Sequence, residues 1–268
     1  MKRSAYFHGF MGIAKRELYR VVQQRSRFIS SLVRPLLWLV VFAAGFRAAL
    51  GVAIIPPYQT YITYQVYIIP GLIGMILLFN GMQSSLSMVY DREMGSMRVL
   101  LTSPLPRPFL LACKLIASSL VSLAQVYAFL LVARFFEFSP PASGYFYALP
   151  AILLAGFLLG ALGLLLSSLI RQLENFAGVM NFVVFPMFFM SSALYPLWKI
   201  RESSEILHAI CQANPFTYAV ELIRFALYSE LNGRALAVCS ATAAVLFSAA
   251  IVGYDPKRGL LKRKVGAG

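Results

Sequence analysis

The sequence predicts an all-α membrane protein: six transmembrane helices, an N-terminal amphipathic interface helix, a cytoplasmic surface helix between spans two and three, and short external helices between spans five and six. Three observations carry this. Of 268 residues, 59% are hydrophobic and 13% charged, with mean hydropathy +0.73, whereas soluble domains are about half apolar and about a quarter charged. Six windows reach the roughly 20 apolar residues that a helical span needs. The basic residues also alternate between the two sides those windows define.

Residues 8–24 form the interface helix. Phe10, Ala14, Leu18 and Val21 fall on one face and Lys15, Arg16, Arg20 and Gln23 on the other, the pattern of a helix that lies in a headgroup layer. The spans follow at Ile29–Leu50, Tyr67–Tyr90, Phe109–Phe135, Ala148–Ile170, Asn175–Leu197 and Ala235–Tyr254. They read as helices because lipid-exposed backbone must satisfy its own hydrogen bonds; the ten-residue alternating segments of a barrel are absent. Pro35 is placed in the first turn of span one, where its missing donor costs little. Tyr58, Tyr61, Tyr64 and Tyr67 are read as a headgroup-level belt, ahead of a ligand-stacking site. Residues 137–147 make a short turn with two prolines and a glycine. Between spans five and six, Ser203 or Ser204 caps one short helix and Asn214-Pro215 separates it from a second, with Ala219, Ile223 and Leu227 on one face; both are expected to lie on the outer membrane face. The whole, 1–268, is one membrane domain: 1–28 cytoplasmic and interfacial, 29–254 six spans, 255–268 a basic cytoplasmic tail.

Eighteen of the 24 basic residues fall on one side: eight within 1–34, Arg92, Arg98, Arg107 and Lys114 in the connection after span two, Arg171, and five in the tail. Only Arg47, Arg134, Lys199, Arg201, Arg224 and Arg234 fall on the other. Both termini are therefore expected in the cytoplasm. The net charge of +14 is a topology signal and an attraction to anionic lipid heads, not a nucleic-acid footprint.

The sequence excludes several chemistries. It holds no Gly-Lys dipeptide and so no P-loop. Its two histidines, His8 and His208, sit on opposite sides of the membrane, and its three cysteines have no metal-ligand spacing. No catalytic residue, metal site or bound cofactor is expected. The span centres carry no ionisable side chain, which disfavours a proton relay. They carry small and neutral polar residues instead, Gly156, Gly160 and Gly163 among them, whose first reading is close helix packing and hydrogen bonding. The second reading makes Asn80, Gln83, Ser84, Gln125, Asn181 and Ser191 the lining of a path for an amphipathic substrate. Pro186, placed mid-span, is expected to kink span five.

The most informative stretch is the polar break Asp91–Arg107, DREMGSMRVLLTSPLPR. Asp91 and Glu93 are placed at a helix N-terminus, which favours acids. Met94, Met97 and Leu101 make one apolar face. Gly95 costs about 1 kcal/mol of helix propensity against alanine, a cost that fits a close backbone neighbour. Pro104 and Pro106 end the element.

The order Asp91-Arg92-Glu93-x-Gly95-Ser96, then Leu100 and Leu101, then Ser103-Pro104 and Arg107, resembles the cytoplasmic motif of ABC type-2 (ABC-2) exporter permeases. The likeness extends to the interface helix, the six spans and Asn214–Leu227, NPFTYAVELIRFAL. Asp91 stands where glutamate is commoner and Ser96 where threonine is. More narrowly, the chain is similar to permeases encoded beside alcohol-oxidation systems that use a quinone cofactor. The resemblance implies a non-enzymatic homodimeric permease of the bacterial inner membrane, joined by two copies of a P-loop ATPase that carry the ATP and Mg. It makes Asp91–Arg107 a coupling helix, with Asp91, Arg92, Glu93, Met94, Gly95, Ser96, Met97, Arg98, Leu100, Leu101, Pro104 and Arg107 as ATPase-coupling residues. The alternative is an ion-coupled secondary transporter or channel without an ATPase. A lipid-modifying membrane enzyme would need the clustered catalytic side chains that are missing here.

Overall fold

The computed structural model describes residues 3–23, 25–45, 56–58, 62–94, 105–136, 138–170 and 172–254. These residues hold ten α-helices: α1 (Arg3–Gln23), α2 (Arg25–Gly45), α3 (Tyr64–Glu93), α4 (Arg107–Ala133), α5 (Ala142–Leu169), α6 (Leu173–Phe189), α7 (Leu197–Ser203), α8 (Glu205–Ala213), α9 (Pro215–Leu227) and α10 (Gly233–Gly253). A 3₁₀ turn, Arg134–Phe136, extends α4. Four are long and apolar enough to cross a membrane: α3, α4 with its extension, α5 and α10. The apolar parts of α2 and α6 are shorter, Leu32–Phe42 and Leu173–Phe189. At about 1.5 Å per residue, the 17 residues of α6 reach about 25 Å, short of a hydrocarbon core of about 30 Å.

The centre of the bundle is α5, which packs against α3, α4, α9 and α10. Its glycines let α3 approach at backbone distance. A Cβ added to Gly81 of α3 would lie 2.9 Å from the Gly160 nitrogen, and one on Gly163 would lie 2.6 Å from Ser85 Oγ. The small residues of span four therefore serve packing, as their first reading held. Around this seam, Tyr67, Phe129, Phe138, Phe188 and Phe216 are fully buried.

Several sequence expectations are corrected. Pro35 lies inside α2, ten residues past its first residue. Pro186 lies in the last turn of α6, not mid-span. There the helix gives way to a turn in which Ser191 Oγ donates to the Phe188 carbonyl (2.6 Å) and accepts from the Ala193 amide (3.2 Å). Asp91 and Glu93 close the C-terminal turn of α3; the helix of span two runs one turn further than its apolar window, because its polar end finds partners described below. The tyrosines do not form a belt. Tyr58, Tyr64 and Tyr67 are buried, and two of them donate to carbonyls of the turn after α6, Tyr64 to Leu194 (3.0 Å) and Tyr67 to Ser192 (2.9 Å). Tyr61 lies outside the described residues, as do Arg47, Arg171 and the tail from residue 255.

Between α6 and α10 the expected serine cap is present, Ser204 Oγ accepting from the Leu207 amide (3.3 Å), and the Asn214-Pro215 break also caps the next helix, Asn214 Oδ1 accepting from the Phe216 amide (2.9 Å). The two capped helices differ in placement. Ile206 and Ile210 of α8 are exposed, whereas α9 is buried along most of its length. It fits against the N-terminal parts of α3 and α5. Phe216 and Val220 meet α3 at Gly74, where a Cβ would come within 2.9 Å of either, and the Leu227 carbonyl closes on Gly144 of α5.

Candidate functional site

The polar break begins at the last turn of α3. Successive helical residues point about 100° apart, so Asp91, Arg92 and Glu93 face three different neighbours. Buried Asp91 pairs with Arg16 of α1 at 3.2 Å. Arg92 donates to the carbonyls of Ser167 and Ile170 (2.9 Å to the latter) at the C-terminal end of α5. The Glu93 carboxylate accepts from the Leu173 amide, the first of α6, at 2.8 Å. The charges alternate to suit. A cation meets the orphan carbonyls and negative dipole end of α5; an anion meets the orphan amides and positive end of α6. Tyr254, just past α10, closes the group: its hydroxyl lies 2.7 Å from Ser167 Oγ, and its ring lies 5.9 Å from the Arg92 guanidinium carbon.

The neighbouring elements gather at the same end. Tyr6 of α1 packs edge-on against Phe109 of α4 at 5.0 Å, and Gly9 lets α1 sit against Leu105. Arg107 starts α4, with Pro106 at its N-cap. Met94 is 64% exposed, so the apolar face expected of the break starts on an uncovered side chain. Gly95, Ser96, Met97, Arg98, Leu100, Leu101 and Pro104 lie outside the described residues.

Of the residues proposed for a substrate path, the structure joins Asn80 and Gln125: Asn80 donates to Gln125, tying α3 to α4. Ser191 belongs to the turn after α6. Asn181 is exposed on α6, and Gln83 and Ser84 are half-buried on α3.

A second polar cluster, at the opposite end of α3 from Asp91–Glu93, has no counterpart in the sequence reading. Arg224 of α9, 2% exposed, pairs with Glu221 and donates to the Ser192 carbonyl at 2.9 Å. Its guanidinium lies 4.1 Å from the Tyr67 ring centroid. Tyr58 stacks edge-on to Tyr228 beside it at 4.8 Å, and burial pushes the Tyr58 hydroxyl far above the usual tyrosine range. The signal was present: a Glu-x-x-Arg pair inside an otherwise apolar helix. At the other end, the sequence puts Arg16 on a polar face and gives no hint of its partner Asp91.

Comparison with known proteins matches this arrangement to one family. The family model described as "ABC-2 type transporter" matches residues 8–228, from within α1 through α9, across both sides of the polar break. The chain belongs to the ABC-2 type transporter family. Its ABC-2 relatives include proteins named transport permease ycf38. The one from Cyanophora paradoxa is 28% identical over 81% of this chain and 73% of its own length. That from Porphyra purpurea is 27% identical over 82% and 74%, and that from Pyropia yezoensis 28% over 85% and 77%. An ABC-2 permease is a membrane transport protein, and the apolar helices of this chain fit that role.

Proposed function

We propose that the chain is the membrane half of an ATP-driven exporter, working as a homodimer with two copies of a separate P-loop ATPase. ATP and Mg belong to that partner. Closure of the ATPases pushes on Asp91–Arg107, and the spans rearrange to pass substrate across a bacterial inner membrane, with both termini of the permease in the cytoplasm. The observation that carries this reading is the ABC-2 match over residues 8–228, together with the gathering of α1, the end of α3 and the start of α4 at one end of the bundle, where Met94 is exposed. Following the likeness to permeases encoded beside quinone-dependent alcohol-oxidation systems, we further propose that this gene neighbours such a system.

Co-expression with the ATPase encoded nearby tests the reading. The tagged permease is expected to retain the ATPase in equal copy number through detergent purification, and by itself to hydrolyse no ATP, because it has no P-loop. Hydrolysis by the permease alone, with contaminants excluded, contradicts it. So does substrate movement in vesicles that lack the ATPase, the behaviour of an ion-coupled carrier.

A further inference from the structure

We propose that Arg92 and Glu93 are positioning residues that carry motion of the coupling segment into the α5–α6 pair, and through it to α9, rather than contacts for the ATPase. The proposal rests on the exporter reading above.

The geometry at the inner end supports it first. Only residues 170–172 separate α5 from α6. Arg92 holds the α5 side of that turn through the Ser167 and Ile170 carbonyls, and Glu93 holds the α6 side through the Leu173 amide. Adjacent residues of one helical turn thus grip both sides of one tight connection. The coupling segment follows from Met94, whose amide still bonds to the Tyr90 carbonyl at 3.0 Å, so a push on that segment is delivered at the turn bearing both side chains. Asp91, on the third side, ties the same turn to α1.

The outer ends of the same two helices meet again at α9. The Leu227 carbonyl of α9 closes on Gly144 at the start of α5, at a distance that leaves no room for a side chain. Asn214, which caps α9, donates its side-chain amide to the Met187 and Met190 carbonyls at the end of α6 (2.8 and 2.6 Å). The pair α5–α6 is therefore clasped by Arg92 and Glu93 at the inner end and by Asn214 and Leu227 at the outer end. Close-packed helices transmit displacement as rigid bodies. A shift of the α3 terminus is thereby passed to α5 and α6, both of which end on α9, beside the direct contact of α3 with α9 at Gly74.

The test uses the permease–ATPase complex in lipid nanodiscs, with Glu205→Cys at the exposed start of α8 as a reporter; the chain's own cysteines are buried. A membrane-impermeant maleimide is applied with and without ATP plus vanadate. With Arg92 present, nucleotide trapping is expected to change the labelling rate at least fivefold. Arg92→Ala is expected to keep the ATPase in the native ratio while that change falls below twofold. Arg92→Lys is expected to behave like Arg92→Ala, because an ammonium cannot span two carbonyls as a planar guanidinium does; it also decides the matter if Arg92→Ala does not fold. A full nucleotide response in either variant overturns the proposal. Loss of the ATPase from the Arg92→Ala complex overturns it too, by making Arg92 a docking contact. A native complex that holds the ATPase but shows no nucleotide response overturns the transmission route alone. A native chain that holds no ATPase overturns the exporter reading with it.

Discussion

Replacing Met97 and Leu101 together by aspartate is expected to release the ATPase from the permease while leaving membrane insertion intact. Sequence spacing puts Met94, Met97 and Leu101 on one helical face, and the first of them is 64% exposed. An apolar stripe at a polar membrane surface has a use if a partner's groove covers it. Interface hot spots cost about 2 kcal/mol or more on truncation, roughly 30-fold in affinity. Two carboxylates buried in the same groove add a desolvation penalty, so a complex that survives purification is expected to dissociate. Insertion is unaffected because both positions fall outside the apolar windows. Ser143→Asp, at the exposed outer start of α5, is the control and is expected to retain the ATPase.

Arg224→Met is expected to be the most destabilising single change in the cluster around α9. The arginine is almost wholly buried, and its charge is balanced by Glu221, the Ser192 carbonyl and the Tyr67 ring. Removing one member of a buried pair strands the other and costs about 3–5 kcal/mol. Replacing both by apolar side chains of similar volume is often near neutral. The thermal midpoint of the detergent-solubilised protein should therefore fall steeply for Arg224→Met and recover most of the loss in Arg224→Met/Glu221→Leu. Equal loss in both variants would show that the guanidinium acts through packing and not through charge balance.

Much of the architecture was legible because lipid enforces long apolar helices: the windows for α3, α4, α5 and α10 each agree with the structure to within six residues at either end. Composition could not reveal where polar groups are satisfied by distant partners. Asp91 and Glu93 look like N-terminal acids in sequence, but they complete the C-terminus of α3 since Arg16 and the first amide of α6 lie within reach. Tyr64 and Tyr67 carry the signature of a headgroup belt, yet they are pinned inside by carbonyls of the turn after α6, about 125 residues away along the chain. Gly144 reads as part of a loop, and its role appears only when α9 packs on α5. The charge pattern located the polar break and the family likeness suggested its coupling role, and the structure divides its root among α1, α5 and α6.

The central claim is that a cytoplasmic ATPase grips this chain at the polar break. Photo-crosslinking from a benzophenone side chain at Met97, in membranes that also contain the ATPase, tests it directly, with the same probe at Phe146, 79% exposed at the outer start of α5, as the reference. A permease–ATPase adduct from position 97 and none from position 146 is the predicted result. No adduct from position 97, or equal yields from both positions, would contradict the account.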